Sequence, residues 1–255
     1  MLNIDQLDYR YRLDRDVDYG ASVLVGYPPV QTAANVGAIE LEQQSWPQRA
    51  SKTEEALKRA FDICFALCFL VVALPFLIIL AIALRMDTHG SLFFVQQRVG
   101  RDGCYFDCFK FRTMRVDAEA LLANILASCP EARREWDADH KLKNDPRVSR
   151  LGRIARKLSL DELPQLVNIL RGQMSVVGPR PIVAAEISKY GTYFADYCAV
   201  KPGLTGLWQV SGRNDVSYAK RVQLDCEYRR RRSFLFDMSI VAKTVPAVLF
   251  AKGSY

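Results

Sequence analysis

Asp161 and Glu162 stand side by side in the run Ser159–Leu160–Asp161–Glu162–Leu163–Pro164–Gln165. Adjacent carboxylates can share a divalent cation such as Mg²⁺, which takes one or two protein carboxylates and completes its shell with water and substrate phosphates. Arg156 lies one helical turn upstream, where it would add a phosphate clamp. Downstream, Gly178–Pro179–Arg180–Pro181 holds an arginine between two prolines, which limits its backbone freedom and suits it to bidentate phosphate binding. Lys201–Pro202–Gly203 and Gly212–Arg213–Asn214 put two more cations on turn-rich backbone. These residue types suit chemistry at phosphate. No Walker sequence or nucleotide-binding glycine fingerprint occurs. The only histidines, His89 and His140, lie in charged loops, which argues against Ser-His-Asp catalysis. A plainer reading stays open on local grounds. Ser159 and Glu162 have capping-box spacing, and acidic side chains in a first turn complement the positive helix terminus.

The elements around these residues can be read from periodicity. The helix opened by Ser159 would run through Leu166, Ile169 and Leu170 to a stop at Gly172. Before it, Val148, Leu151, Ile154, Ala155 and Leu158 form one apolar stripe flanked by Arg147, Arg150, Arg153, Arg156 and Lys157. That basic amphipathic helix suits an anionic membrane surface or a solvated cover over a core. Leu92 to Arg98 and Cys104 to Thr113 read as a hairpin around Gly100, Asp102 and Gly103. Alternation places Lys110 and Arg112 on one face of its second strand, either exposed or serving as phosphate ligands. Asp117 to Ser128 and Pro130 to Lys143 read as two charged helices, and Phe234 to Ala251 as a packed or interfacial one.

Order begins at Ser51, which has capping-box spacing with Glu54 and leads into an apolar run from Phe61 to Leu84. Those 24 residues would measure about 36 Å as a helix, enough to cross a bilayer. Pro75 lies inside the run and predicts a break, because it removes the donor that would pair with the carbonyl of Val71. Lys52, Lys58 and Arg59 precede the run and Arg85, Arg98 and Arg101 follow it, so positive charge marks both ends as cytoplasmic. A re-entrant helix over about residues 57–85, turning at Pro75, satisfies both observations. A kinked span and a buried core helix are the alternatives.

Charge is unevenly distributed. Residues 1–59 hold 7 Lys or Arg against 9 Asp or Glu, which leaves 28 against 19 in the remainder. A basic body suits an anionic partner: membrane, nucleic acid or phosphate-bearing small molecules. Residues 1–50 lack periodicity and read as a mobile extension, without the basic stub and apolar core of a cleavable signal. The seven cysteines, an odd number without CxxC spacing, read as ordinary reduced thiols rather than a zinc site.

The proline-bearing apolar segment, Lys110–Phe111–Arg112–Thr113–Met114, Ser159 to Gln165, Gly178 to Pro181, Lys201 to Gly206 and Gly212–Arg213–Asn214 follow one another in this order. In that order they resemble the bacterial polyprenyl-phosphate phosphoglycosyl transferases, over about residues 56–255. The resemblance implies a monotopic, re-entrant membrane helix broken at Pro75. It implies that Asp161 is a nucleophile assisted by Glu162, with Mg²⁺ held by Asp161 and Glu162, and that Arg156, Arg180 and Arg213 contact substrate phosphates, joined by Lys110 and Arg112. The stretch from Ala118 to Lys143 is longer than in the family's smallest members, and residues 1–50 have no match there. The longer stretch resembles the branch that initiates exopolysaccharide repeats with galactose or glucose. The expectation is therefore an α+β, mostly helical domain over residues 51–255, carrying a small antiparallel β-hairpin. Its partners would be a UDP-sugar, undecaprenyl phosphate and membrane lipids at the cytoplasmic face of the inner membrane, with both termini cytoplasmic. A membrane-tethered nucleic-acid binder would explain the charge equally well, but no nucleic-acid-binding motif occurs, and nucleic acid is not an expected partner. Self-association is left open.

Overall fold

The computed structural model describes residues 51–139, 142, 145–212 and 216–249. The reading of residues 1–50 as a mobile extension lies outside them. Among the described residues α1 (Lys52–Thr88) comes first, followed by the hairpin β1 (Phe93–Val99) and β2 (Tyr105–Phe111) and the helices α2 (Ala118–Ser128), α3 (Pro130–Asp139), α4 (Arg150–Lys157) and α5 (Gln165–Leu170). Strand β3 (Ser175–Val177), helices α6 (Ile187–Tyr190) and α7 (Phe194–Cys198), strand β4 (Gly203–Thr205) and helices α8 (Leu207–Val210), α9 (Tyr218–Arg231) and α10 (Phe234–Leu249) complete it. The architecture is mostly helical with a small antiparallel sheet, β1 against β2, in which Phe94 faces Lys110 and Val99 faces Tyr105. A second pair, β3 and β4, is parallel and was not legible in the sequence. Strands of three residues are too short to show alternation.

Helix α1 starts as its residues dictate. The Ser51 hydroxyl accepts from the Glu54 backbone N–H at 3.2 Å, and the Glu54 carboxylate accepts from the Ser51 N–H at 3.1 Å. The helix then runs for 37 residues, about 55 Å, and ends where His89 takes left-handed backbone with φ 56°. The interruption expected at Pro75 does not divide it: helical structure continues through the proline. Tertiary packing supplies the reason. Leu70 and Ala73 before Pro75 and Leu77 and Leu80 after it belong to one apolar cluster with Phe111, Ala155, Leu160 and Leu163. That shared face packs residues from both sides of Pro75, so helical structure continues despite the missing N–H.

The opposite face of α1 is exposed. Val71 is 73% exposed, Val72 82% and Ile79 67%. Both ends of the helix are nevertheless tied to the same domain. Near its start, Phe61, Phe65 and Ala66 join the main core with Leu166, Ile169, Val177 and Tyr228. Lys58 donates to the carbonyl of Val177 at 3.1 Å and also ion-pairs with Asp237 of α10. Near its end, Asp87 accepts from the backbone N–H of Leu151 at 3.0 Å. The amphipathic helix α4 buries Ala155 but leaves Leu151 and Ile154 substantially exposed, so its apolar stripe is only partly used by the core.

Candidate functional site

The acidic pair sits in a turn of its own. Helix α4 closes at Leu158, whose N–H bonds the carbonyl of Ile154, and Ser159 follows in left-handed backbone with φ 57°. Leu160–Glu162 then forms a single 3₁₀ turn, and α5 begins only after Pro164. The capping box expected from Ser159 and Glu162 is absent. A left-handed residue immediately after one helix cannot adopt the extended backbone of an N-cap for the next. The pair is instead anchored by its neighbours, because Leu160 and Leu163 both pack into the apolar cluster shared with α1 and Phe111.

Three cations converge on Glu162. Lys110, from β2, donates to its carboxylate at 2.6 Å, and Arg180 lies 3.8 Å from the same oxygen. Arg98, from β1, lines the same small cleft and is held there by its bonds to the carbonyl of Pro181 at 3.0 Å and to Gln96 at 2.6 Å. Burial works to raise Glu162, but Lys110, Arg180 and Arg98 outweigh it and hold the carboxyl down to about 2. Glu162 is therefore ionised at neutral pH.

Asp161 has the opposite character. It is buried, and its carboxylate makes no hydrogen bond or ion pair with any described residue. Burial, and then the negative charge of Glu162, push its pKa upward, against the opposing pull of Lys110, Arg156 and Arg180. Arg156 is fixed by donating its Nε–H to the Thr113 hydroxyl at 2.8 Å. Two neighbouring acids thus sit among the same cations, one neutralised by direct contact and the other without a bonded partner among the described residues.

Arg180 reaches the cleft through glycine. The segment from Ser175 to Pro179 lies against that from Pro202 to Thr205, with Gly178 donating to the carbonyl of Thr205 at 2.9 Å and Gly203 to that of Pro179 at 2.7 Å. A Cβ on Gly178 would stand 2.3 Å from the Lys201 carbonyl oxygen, and one on Gly203 would stand 2.1 Å from the Gly178 nitrogen. Only glycine permits this crossing. It delivers the Pro179–Pro181 turn beside Glu162.

The structure brings Lys110, Arg156, Asp161, Glu162 and Arg180 together. It does not bring Arg112 with them. That guanidinium is committed to Ser91, donating to the hydroxyl at 2.7 and 3.1 Å and to the carbonyl at 3.0 Å. The strand face shared with Lys110 ends before Arg112, whose backbone already pairs with Leu92 at the strand's limit. Arg213 lies outside the described residues. Two contributors escaped the sequence reading. In the sequence Arg98 reads as the end of the first hairpin strand and as flanking charge of the apolar run, not as a site residue. Asn168 is fully buried and clamps β2 to α5, its Oδ1 accepting from the Phe109 N–H at 3.1 Å and its Nδ2 donating to the Asp107 carbonyl at 2.6 Å. An asparagine on the apolar side of a helix is the signal that could have found it.

Among the described residues no group of three or more His, Cys, Asp or Glu side chains converges, so a closed protein cage for a metal is absent there. Two adjacent carboxylates, one without a bonded partner among the described residues, fit a cation that draws its remaining ligands from water and substrate phosphate. Mg²⁺ binds in this way.

The profile of the family described as bacterial sugar transferase matches residues 53–251. The chain is 48% identical over 206 residues to the UDP-galactose-lipid carrier transferase of Erwinia amylovora, covering 81% of this chain but 43% of that protein. It is 48% identical over 198 residues to the exopolysaccharide production protein ExoY of Rhizobium meliloti, covering 78% of this chain and 88% of that one. It is 47% identical over 206 residues to the undecaprenyl-phosphate galactose phosphotransferase of Salmonella typhimurium, covering 81% and 43%. The chain thus spans less than half the length of two of these relatives and most of the third. The matched region contains the Asp161–Glu162 turn, the hairpin that supplies Lys110 and the glycine crossing that delivers Arg180, and this chain belongs to the bacterial sugar transferase family.

Proposed function

We propose that the chain transfers a hexose 1-phosphate from a UDP-sugar, galactose or glucose, to undecaprenyl phosphate, releasing UMP and initiating an exopolysaccharide repeat. The names of the relatives supply the substrate classes. The observation that carries the mechanism is the Asp161 carboxylate, buried near Lys110, Arg156 and Arg180 without a bonded partner among the described residues.

Asp161 attacks the phosphorus bonded to the sugar. A new O–P bond forms, the bond to the UMP oxygen breaks, and UMP leaves with that electron pair. An oxygen of the lipid phosphate then attacks the same phosphorus, breaking the aspartyl O–P bond and restoring the carboxylate. Arg156 and Arg180 offset the negative charge that would repel an anionic nucleophile from a diphosphate. Lys110 keeps Glu162 ionised and in place. Asp161 and Glu162 would hold Mg²⁺, which when bound supplies further charge neutralisation at the phosphates. Anionic substrate phosphates would raise the pKa of Asp161 further, so it is Lys110, Arg156 and Arg180, with Mg²⁺ held there, that would draw it back down and ionise the nucleophile.

The membrane face follows from α1. Its middle is apolar and bare while both its ends bond to one domain, which favours shallow insertion from the cytoplasmic side over a span. Any change of direction within the bilayer falls at Pro75. The exposed Leu151 and Ile154 of α4 extend the same lipid-facing surface. A soluble donor and a lipid acceptor then meet at the interface.

The test incubates the enzyme with labelled UDP-sugar and Mg²⁺ without lipid acceptor, quenches in acid and maps the label by mass spectrometry. The expected result is a sugar phosphate on the peptide containing Asp161 and about one UMP per active site. Absence of UMP without acceptor, while the complete reaction runs at full rate, would establish direct displacement by the lipid phosphate instead.

A further inference from the structure

A second basic cavity, of about 300 Å³, opens between the start of α1, the tip of the hairpin and α9, and shares no lining residue with the cleft at Glu162. Its cations differ in how far they are satisfied. Arg59 donates to the carbonyls of Ile169 and Leu170 at 2.6 and 2.7 Å. Lys58 pairs with Asp237, and Arg101 pairs with Glu55 at 3.1 Å. Lys201 and Arg232 line the same cavity, and neither makes a hydrogen bond or ion pair with any described residue.

The cations also crowd one another. The ideal Cβ position on Gly172 lies 3.6 Å from Arg59 Nη2 and 3.7 Å from Lys201 Nζ, so those two groups are separated by no more than the sum of these distances. Burial and then the neighbouring Arg59, with Arg101 adding to it, push the Lys201 amine below its usual range. The acids do not cancel this charge. Glu55 is taken by Arg101, and one oxygen of Asp62 is taken by the Ser175 hydroxyl at 3.0 Å and the Val176 N–H at 2.9 Å. Convergent like charges in a concavity carry a cost that a bound anion removes.

We propose that this cavity is a binding site for a phosphate group, held by Lys201 and Arg232 with Arg59 and Arg101 adding attraction. The inference is independent of the transfer chemistry. Lys58 and Arg59 immediately precede the apolar run at Phe61, so the cavity lies at the depth of lipid headgroups if α1 inserts. The phosphate can therefore come from an anionic lipid headgroup or from solution.

The readout is the rate at which an amine-acylating reagent modifies Lys201, followed by mass spectrometry on the full chain in neutral detergent. Inorganic phosphate should slow modification of Lys201 while leaving the exposed Lys220 unaffected. Arg232→Gln should raise the half-protecting phosphate concentration about tenfold, the size of one charge-assisted hydrogen bond, and Arg232→Lys should largely preserve it. Should Arg232→Gln lower the melting temperature, Arg101→Gln replaces it and the same rise is expected. The source is assigned in nanodiscs without added phosphate. Protection that appears when phosphatidylglycerol is included in phosphatidylcholine identifies a headgroup, and protection seen only with free phosphate identifies a soluble ligand. Lys201 labelling that neither source alters, or protection unchanged by Arg232→Gln in a folded protein, overturns the site.

Discussion

Two of the regions in which this protein buries carboxylates treat them in opposite ways. Beneath the start of α1, Asp62 accepts from Ser175 and Val176, while Asp237 is held by Lys58 and by the Tyr228 hydroxyl at 2.8 Å. Those acids join α1 to β3 and α10, and their partners come entirely from the protein. In the cleft, Glu162 follows that pattern with Lys110, but Asp161 next to it makes no hydrogen bond or ion pair with any described residue. Burying a charge without a partner is costly. Asp225 is also buried with one oxygen unpaired among the described residues, its other accepting from the Tyr190 hydroxyl at 2.7 Å, so a missing partner alone does not mark a reacting group. Asp161 combines it with the cations Lys110, Arg156 and Arg180, and that combination identifies it better than burial alone.

The largest expected effect separates the two regions outright. Asp161→Asn should lower kcat by about 10³-fold or more, as loss of a nucleophile does. It should not lower the melting temperature at neutral pH. A raised folded pKa means that Asp161 favours folding only when protonated, so its contribution is present below the unfolded value and is lost as pH rises through the folded one. The variant should therefore gain melting temperature over the parent as pH rises from acid to neutral. Asp237→Ala should do the reverse, losing about 3–5 kcal/mol of stability because Lys58 is left buried and unpaired. Calorimetry and kinetics on both variants check the pair, and an Asp161→Asn protein that melts early would break the comparison.

A smaller effect is expected within the acidic pair. Glu162→Gln releases Lys110 and Arg180 from their fixed places and should reduce kcat/KM about 10²-fold through misplacement. Its stability signature runs opposite to that of Asp161. A carboxyl held at about 2 contributes stability that is present above its unfolded pKa and is lost as pH falls toward that value. The melting temperatures of parent and Glu162→Gln should therefore converge in acid and diverge at neutral pH, which a pH series of melting curves would measure.

The smallest effects concern the arginines. Arg180→Lys keeps the charge but loses the planar fork, and should cost about tenfold in kcat/KM. Arg112→Ala removes a guanidinium bonded to Ser91 at an exposed edge and should change kcat/KM by no more than about threefold. Equal losses in steady-state assays of the two variants would contradict the placement of Arg112 outside the cleft.

Much of this was legible in the residues. The α1 cap at Ser51 and Glu54, the hairpin, α2, α4 and α10 follow from local spacing and periodicity, because each is stabilised by contacts within a few residues. The acidic pair and Arg156 and Arg180 were legible as types suited to phosphate chemistry. The turn that carries the pair was not. Ser159 has the chemistry of an N-cap, and only the end of α4 one residue earlier forces it into left-handed backbone.

The sequence by itself determined the apolar length of α1, the basic character of the body and the candidate reacting groups, since these depend on composition and short-range order. Tertiary structure decided the rest. Pro75 fails to divide α1 because residues on both sides of it pack on one cluster. Arg98 enters the cleft and Arg112 stays at Ser91 because the hairpin's limits, not its alternation, set which side chains face Glu162. The unequal treatment of Asp161 and Glu162 is likewise a long-range result. Lys110 arrives from β2, clamped by Asn168, and Arg180 arrives over the crossing of Gly178 and Gly203. No local rule distinguishes two adjacent acids whose partners lie far away in the chain. Their energies separate only when the fold gives Glu162 a direct bond to Lys110 and leaves Asp161 near the same cations without one from any described residue.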